Sequence, residues 1–364
     1  MKYKLKDIFD LQMGKTPSRD NVDYWNTNDY KWISIGDLST TEMYISNTKE
    51  HLSEKAVQES RIKLIPRNTV VMSFKLSIGK TAITAEDMYS NEAIMAFHDK
   101  HVVDMLPKYI FYLFKYRDWD KGSNKAVMGK TLNKATLSEI EIELCSLEKQ
   151  KEIVKVLDKI TGSLAGRKSE LLLLDDLIKA RFVEMFDGKY PEDTLLNLCN
   201  IIDYRGKTPK KVERGLPFIT AKNVKMHHMT LEPLEYISKE TYDKVMVRGF
   251  PKEGDVVFTT EAPLGNVCRI PHFNTEFYIG QRIVTMQTEE LNPTYLEYAL
   301  SAEEFIRKYM GNSSGSTVIG IRVRLLEQLT IQVPPRGLQD EFAIFVEQVD
   351  KSKFVERFPE LSLF

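Results

Sequence analysis

The tetrapeptide Gly-Lys-Thr-Pro at residues 14–17 occurs a second time at residues 206–209. Further along, Trp-Ile-Ser-Ile-Gly-Asp-Leu at 32–38 is matched by Phe-Ile-Thr-Ala-Lys-Asn-Val at 218–224. Two shorter patterns, Val-Val before a glycine and Pro-x-Tyr, also return in the same order. The offset is about 185 to 192 residues, far longer than the roughly 20–50 residues of a solenoid repeat. An offset of this size has the length of a domain, so the sequence predicts two related domains.

The bulk composition is that of a soluble globular protein. The chain has 364 residues, enough for two ordinary domains, with 42% hydrophobic and 28% charged residues. Three scattered cysteines predict no disulfide framework, and no run is apolar enough for a leader or a membrane span. We therefore expect a cytoplasmic protein without a membrane partner. The net charge of −1 neither favours nor excludes nucleic acid, because a balanced total can hide a basic face.

Residues 147–186 contain no proline, and their apolar side chains recur alternately every four and three positions. This pattern predicts one long helix with a coiled-coil stripe, about 60 Å long at about 1.5 Å per residue. Two shorter amphipathic helices are the alternative, because Gly162 and Gly166 each weaken a helix by about 1 kcal/mol relative to alanine.

A second helix is predicted after Pro335 in the register of the first. The apolar stripe of the first helix does not continue along the second. Lys353 occupies the position that corresponds to Leu164, and Pro359 is excluded from a helix interior. A shortened helix of this kind is expected to weaken the pairing of the two helices. The predicted segments are a globular domain at 1–146, a long central helix at 147–188, a second globular domain at 189–335 and a shortened distal helix at 336–364.

No familiar catalytic motif is present. Gly-Lys-Thr occurs four times, but a phosphate-binding loop also needs a glycine five residues earlier, and none of the four has it. The six histidines have no cysteine or carboxylate at metal-ligand spacing. We found neither a nucleophile elbow nor a glycine-rich motif for S-adenosylmethionine. The sequence thus predicts no catalytic residue, no metal site and no cofactor, although a nuclease or methyltransferase with an unrecognised site remains an alternative.

Two globular domains alternate with two helices along the chain. This order, taken together with the repeated motifs, is characteristic of one protein family. Each helix is led by a glutamine, Gln150 or Gln339, and each domain opens with Gly-Lys-Thr-Pro. Over nearly its whole length the chain resembles the specificity (S) subunit of type I restriction–modification systems. The resemblance implies an α+β fold. Two homologous, mixed α/β target recognition domains would be separated by long coiled-coil helices in a pseudo-two-fold arrangement.

The resemblance also implies a function without catalysis. The chain would be the DNA-recognition subunit of a restriction endonuclease and adenine methyltransferase complex, reading a bipartite target with one domain per half-site. The implied partners are double-stranded DNA, modification (methyltransferase) subunits docked on the long helices, and restriction subunits. The shortened distal helix puts the docking of one modification subunit in doubt. The competing hypothesis is a duplicated protein-binding adaptor with a helical dimerisation arm, which would lack the salt dependence of phosphate binding.

Contacts to DNA are expected in the opening loop of each domain and around Gly79 and Gly265, because lysine, arginine, hydroxyl and amide groups concentrate there. In the first domain the candidates are Lys15, Thr16, Ser18, Arg19, Ser73, Lys75, Ser77 and Lys80. In the second domain they are Arg205, Lys207, Thr208, Lys210, Lys222, Asn223, Thr259, Thr260, Glu261, Asn266, Gln281 and Arg282. For any single lysine, a solvated surface charge is the alternative.

The candidate positions differ between the domains while the surrounding frame repeats. Lys75 corresponds to Glu261, and Lys80 to Asn266. Two DNA-reading domains with the same backbone structure are expected to have different residues at the positions that contact different bases. The loop at 311–317 is predicted either to contact a phosphate or to be a flexible link.

Overall fold

The chain forms two compact units, and the division between them falls within one long helix. Unit 1 comprises Met1–Ala165 and unit 2 comprises Gly166–Phe364. The structure, a computed structural model, describes residues 1–25, 27–75, 77–119, 133–204, 209–315 and 318–357, with side chains of the last helix described through Lys353. Each unit therefore includes half of the helix that the sequence suggests as a separate segment.

Unit 1 consists of short strands and short helices. Its strands are β1 (Lys2–Lys4), β2 (Phe9–Met13), β3 (Tyr30–Ile33), β4 (Tyr44–Ile45), β5 (Glu50–Leu52), β6 (Val70–Ser73), β7 (Thr81–Thr84), β8 (Tyr89–Ser90), β9 (Ile94–Asp99) and β10 (Glu141–Glu143). Its helices are α1 (Leu5–Ile8), α2 (Ile35–Thr40), α3 (Glu54–Ser60), α4 (Pro107–Lys115) and α5 (Lys134–Ser138).

Two sheets organise unit 1. A five-stranded sheet has the order β2-β9-β6-β7-β4, and a three-stranded sheet has the order β5-β3-β8. Helix α4 begins at Pro107, where proline is tolerated because the N–H that it lacks would have no intrahelical partner at this position. The helix packs against β7 and buries Ile110, Phe111 and Phe114 in the main core.

The predicted long helix is confirmed as α6 (Leu147–Phe186), which has 40 residues. It ends before Gly188, whose φ of 63° suits a glycine after a helix C-terminus. The apolar stripe packs at both ends: Leu157 lies against the core of unit 1, and Ile178 is buried in the core of unit 2. The intervening residues 162–170 are all exposed.

Unit 2 repeats the mixture of short elements. Its strands are β11 (Glu192–Thr194), β12 (Asn200–Asp203), β13 (Lys211–Val212), β14 (Leu216–Ile219), β15 (Val224–Lys225), β16 (His228–Met229), β17 (Glu235–Ile237), β18 (Val256–Thr259), β19 (Val267–Arg269), β20 (Tyr278–Ile279), β21 (Ile283–Gln287) and β22 (Thr330–Gln332). Its helices are α7 (Leu195–Leu198), α8 (Lys239–Val245), α9 (Pro293–Ser301), α10 (Glu303–Gly311), α11 (Val323–Leu326) and α12 (Arg336–Arg357).

The two units share one strand order, which confirms the duplication and the α+β class. The sheet β12-β21-β18-β19 of unit 2 corresponds to β2-β9-β6-β7 of unit 1, and β17-β14-β20 corresponds to β5-β3-β8. In both units the short parallel pair, β3 with β8 or β14 with β20, lies among antiparallel neighbours. The units differ at the edges: β4 extends a sheet only in unit 1, whereas unit 2 adds β13 and the hairpin β15–β16.

The second predicted helix is α12, with 22 residues. Its side chains Phe342, Val346 and Val349 are buried in the core of unit 2. Lys353, which interrupts the stripe, is not solvated: its ammonium group lies 2.7 Å from a carboxylate oxygen of Asp175 on α6. A lysine at a helix–helix contact is tolerated here because a carboxylate on the facing helix neutralises it.

Candidate nucleic-acid interface

A tight turn between β6 and β7 carries four of the predicted contacts in unit 1. Gly79 donates its backbone N–H to the carbonyl oxygen of Ser73 at 2.9 Å, and the Ser73 hydroxyl accepts from the backbone N–H of Lys80 at 3.1 Å. Gly79 has a φ of 90°, a left-handed conformation that favours glycine. The turn therefore presents Lys75, Ser77 and Lys80, which are all partly exposed.

Unit 2 builds the same turn between β18 and β19 with the same hydrogen bonds. Gly265, with a φ of 95°, donates its backbone N–H to the Thr259 carbonyl oxygen at 2.9 Å. The Thr259 hydroxyl accepts from the backbone N–H of Asn266 at 2.9 Å. Thr259 thus occupies the place of Ser73. The two units therefore correspond in their backbone hydrogen bonds as well as in their sequence.

The neighbouring strand extends this correspondence to further positions. Ser73 pairs with Ile94 in unit 1, and Thr259 pairs with Ile283 in unit 2. The residue before each isoleucine accepts an equivalent backbone hydrogen bond, at 3.0 Å in unit 1 and 2.9 Å in unit 2. The equivalent pairs, unit 1 first, are Lys75 and Glu261, Lys80 and Asn266, Glu92 and Gln281, and Ala93 and Arg282.

The opening loop of unit 1 is fixed against the sheets. Lys15 donates its backbone N–H to the Ser90 carbonyl oxygen at 2.8 Å, and a Cβ at Gly14 would collide with the same backbone. The Lys15 ammonium group is hydrogen-bonded to the Ser60 carbonyl oxygen at 2.6 Å, and the Thr16 hydroxyl to the Glu92 carboxylate. The loop is therefore ordered before any partner binds.

Arg19 in that loop is already engaged by the protein. Both of its terminal nitrogens contact the carboxylate of Glu50, one of them at 3.0 Å, and its guanidinium lies 3.8 Å from the ring centroid of Trp25. The hydrogen bond to Glu50 raises the pKa of Arg19. A phosphate or a base would have to displace Glu50 to use this guanidinium, whereas Ser18 beside it is exposed.

Four predicted contacts are corrected because their side chains are buried. Ser73 and Thr259 are 0% exposed, Asn223 is 1% exposed and Thr260 is 6% exposed. Ser73 and Thr259 hold the turns described above. Asn223 accepts from the backbone N–H of Thr220 at 3.0 Å, and Thr260 bonds the carbonyl oxygen of Arg282. These side chains stabilise loops and are not available on the surface.

The structural role of Asn223 could have been found from the sequence. Asp37 stands at the same place in the first copy and accepts from the backbone N–H of Ser34 at 2.8 Å, as Asn223 does with Thr220. A short side chain with an oxygen acceptor recurring at one place in both copies is typical of a cap.

Three of the remaining candidates of unit 2 lie at an open cleft of about 300 Å³. Lys222, Gln281 and Arg282 line it, and all three are exposed. Lys211, which the sequence analysis missed, also lines the cleft and forms an ion pair with Glu235 at 2.7 Å. Lysine is too common on surfaces for its sequence context alone to have identified it.

A second cleft of about 440 Å³ lies on the other side of Gln281. Glu261, Gln281 and Arg322 are among its lining residues. Arg322 was not among the predicted contacts, because it lies outside the repeated motifs. Lys210 is exposed near the first of these clefts, whereas Arg205, Lys207 and Thr208 lie outside the described residues.

The described residues contain no group of three or more histidine, cysteine, aspartate or glutamate side chains that could hold a metal ion. All three cysteines are free, and burial raises the pKa of Cys199 and of Cys268 to about 12. No helix in the described ranges is long and apolar enough to cross a membrane. What the surface offers is two sets of hydrogen-bonding and charged side chains presented on one repeated frame.

This chain is similar to known proteins over most of its length. The family profile described as a type I restriction modification DNA specificity domain matches residues 1–173 and 192–357. The chain is 23% identical to the type I restriction enzyme MjaIX specificity subunit of Methanocaldococcus jannaschii, over 94% of this chain and 85% of that protein. It is 22% identical to the EcoprrI specificity subunit of Escherichia coli, over 95% of this chain and 86% of that protein.

Two solved structures share the fold. The type I S subunit from M. genitalium aligns with a TM-score of 0.55 at 14% identity, covering 100% of this chain and 92% of that one. A chain from a structural study of complex assembly and conformational transition in a type I restriction–modification system aligns with a TM-score of 0.57 at 17% identity, covering 100% and 94%. At these identities the likeness concerns the fold alone.

Proposed function

Because the chain belongs to the type I restriction–modification DNA specificity family, we propose that it reads a bipartite DNA target with one unit on each half-site. The observation that carries this proposal is the repeated turn with different residues on it. Lys75 and Lys80 of unit 1 stand where Glu261 and Asn266 of unit 2 stand, although the backbone hydrogen bonds are the same. Two domains that share one backbone structure but read different short DNA sequences must differ in the side chains that contact the bases.

The long helix supports a target with an unread gap. A helix of 40 residues is about 60 Å long at about 1.5 Å per residue. If α6 sets the distance between the readers, the number of base pairs between the two half-sites is fixed. A rigid spacer in the protein then corresponds to a nonspecific spacer in the DNA, as half-site spacing does in dimeric DNA-binding proteins.

We propose further that the chain is not catalytic and acts within a complex. Its partners would be double-stranded DNA, modification subunits docked on the long helices, and restriction subunits, all in the cytoplasm. Support comes from the exposed apolar stripe of α6, where Ile160 and Leu164, one helical turn apart on the same face, are 50% and 60% exposed. Exposed apolar residues in a row commonly mark a surface that a partner covers.

The proposal is tested by expressing the chain with its modification subunits and mapping methylated adenines across the host genome. The expected result is one new motif with two specific runs separated by a gap of constant length. An assembled complex that methylates DNA at no defined motif would contradict the proposal. A complex lacking this chain is the control and should add no methylation.

A second measurement separates DNA reading from a protein-binding adaptor. Affinity of the complex for a duplex carrying the motif should fall steeply as salt rises, because phosphate contacts release counterions. Affinity that is independent of salt would favour the adaptor.

A further inference from the structure

We propose that Arg282 reads a guanine in the half-site of unit 2 and that Glu261 positions its guanidinium for this contact. The inference rests on the proposed function and deepens it, since it names one base and the two side chains that select it. It goes beyond the prediction that both residues lie near DNA, because it gives them different roles: Arg282 touches the base, and Glu261 acts through Arg282.

The backbone on both sides of this pair is fixed. The Arg282 carbonyl oxygen accepts from the Thr260 backbone N–H at 2.9 Å, and the next residue, Ile283, is 1% exposed in β21. On the other side, Ile321 donates its backbone N–H to the Thr260 carbonyl oxygen at 3.0 Å, and Glu261 forms a β-bridge with Gly320. Both side chains therefore start from rigid positions, which base reading requires.

The side chains are paired in a way that leaves the guanidinium able to bind. The Nε atom of Arg282 lies 2.9 Å from Oε1 of Glu261, and the side chains are 52% and 43% exposed. Within the described residues, the Arg282 side chain makes no further ion pair or hydrogen bond. Its two terminal amino groups thus remain as donors. A planar pair of donors matches the O6 and N7 acceptors of guanine in the major groove, and no other base offers two acceptors there.

The surroundings have room for a base edge and the backbone beside it. Arg282 lines the cleft of about 300 Å³. Lys222 lines the same cleft and can pair with a phosphate, whereas Lys211 is already paired with Glu235. Gln281 lines both this cleft and the one of about 440 Å³.

Unit 1 provides an internal contrast. Ala93 occupies the position equivalent to Arg282, and Lys75 the position equivalent to Glu261. The arginine–glutamate pair is therefore absent from these positions of unit 1. The arginine of unit 1 that the sequence singled out, Arg19, is paired the other way round. Its two terminal nitrogens, the ones guanine would need, are bound to Glu50. The half-site of unit 1 should therefore not respond to substitutions at the Arg282 position.

The test uses the assembled complex with its modification subunits and has two readouts, the methylation motif and the affinity for synthetic duplexes. Wild-type complex should show a guanine in one half of the motif. Arg282→Ala should relax that position alone and weaken binding about 10- to 100-fold, and Arg282→Lys should also lose the base preference because an ammonium group has no planar fork. Glu261→Gln should weaken the preference without abolishing binding.

A duplex with 7-deazaguanine at that position isolates the contact, since it lacks only the N7 acceptor. The analogue should weaken binding of wild-type complex about 10-fold and leave binding by Arg282→Ala unchanged. Lys222→Ala is the matched control: it should reduce affinity for all duplexes equally and preserve the motif. A motif without guanine, or an analogue penalty that persists in Arg282→Ala, would overturn the inference while the proposed function stands. An assembled complex with no motif overturns both.

Discussion

The apolar stripe on the long helices is covered to very different degrees in the two units. In unit 2, Phe342 and Val349 of α12 are 0% and 7% exposed, because Phe182 and its neighbours in the second half of α6 pack against this helix. The equivalent residues of unit 1 are Ile153 and Ile160 in the first half of α6. Ile153 is half-buried, and Ile160 is 50% exposed.

This difference shows that a heptad pattern specifies which side chains can be buried, not whether they are. Within unit 2 the stripe meets a second helix, whereas in the described part of unit 1 the first half of α6 packs on a globular core without a second long helix. We expect unit 2 to draw more of its stability from helix packing than unit 1 does, since apolar burial scales with the area removed from water.

The sharpest test of this comparison is a matched pair of truncations. Phe342→Ala should cost about 3–5 kcal/mol, because Phe342 packs within a cluster formed with Phe182, Phe186 and Tyr295. Ile153→Ala, at the equivalent place in unit 1, should cost about 1 kcal/mol because a half-exposed side chain leaves a smaller cavity. Chemical denaturation followed by circular dichroism measures both, and equal losses would contradict the comparison.

A smaller effect is expected where the units differ in chemistry at one place in the frame. Glu297 is 1% exposed and pairs with Arg269 at 2.7 Å and with His227 at 2.9 Å, whereas unit 1 has Phe111 and Ile83 at the equivalent positions. Glu297→Ala should destabilise unit 2 by about 2–3 kcal/mol, since it leaves two cationic or polar groups unpaired.

The double variant Arg269→Ile with Glu297→Phe copies the apolar solution of unit 1 and serves as the control. It should recover most of the lost stability in thermal unfolding, because replacing a buried charge together with its partner by apolar side chains is often close to neutral. A double variant as unstable as Glu297→Ala would mean that the pair has a role that the frame of unit 1 does not share.

The third test concerns the lysine that interrupts the stripe. Burial opposes the charged form of Lys353, but hydrogen bonds to Asp175 and Asp350 raise its pKa above the ordinary value of 10.5. A raised pKa in the folded state stabilises the protein below pH 10.5, and this stabilisation is lost as the pH rises through the folded pKa. Lys353→Leu should therefore lie within about 1 kcal/mol of wild type at pH 8.

The pH dependence distinguishes the ion pair from simple packing. From pH 8 to above pH 10.5, the melting temperature of wild type should fall relative to that of Lys353→Leu, because Lys353 loses its proton as the pH rises through its raised pKa. A difference that is constant over this range would show that the ammonium group contributes through its methylene chain and not through its charge.

The smallest effect on stability is expected in the exposed part of the stripe. Ile160→Gln with Leu164→Gln removes two apolar side chains that are 50% and 60% exposed, so the isolated chain should change by less than about 0.5 kcal/mol. If modification subunits dock on this stripe, the same variant should weaken assembly, measured by mass photometry of the mixed subunits. Glu170→Gln, also exposed on α6, is the control and should assemble normally.

Much of the architecture could be predicted from the sequence because backbone requirements leave strong signals. Repeated glycines marked the turns that need a left-handed conformation, and the absence of proline over 147–186 gave the extent of α6. Proline stands at the start of both α4 and α9, at the helix position that tolerates it best.

The candidate site was harder to predict, because a side chain of the right type says nothing about burial. Ser73 and Thr259 look like contacts in the sequence, yet their buried side chains hold the turns in place. Arg19 looks free but is bound by Glu50, more than thirty residues away. Such pairings depend on how distant segments meet, and a local motif contains no information about them.

The exposed stretch of α6 at residues 162–170 has a consequence for inheritance. The division between the units falls here, after Ala165, and none of the nine residues is buried. A genetic crossover in this stretch would join one unit to another at a point of α6 where no residue is buried, provided that the helix continues without a break. Each half of the DNA target could then change independently of the other. A small number of units would thus recombine into many DNA sequence specificities.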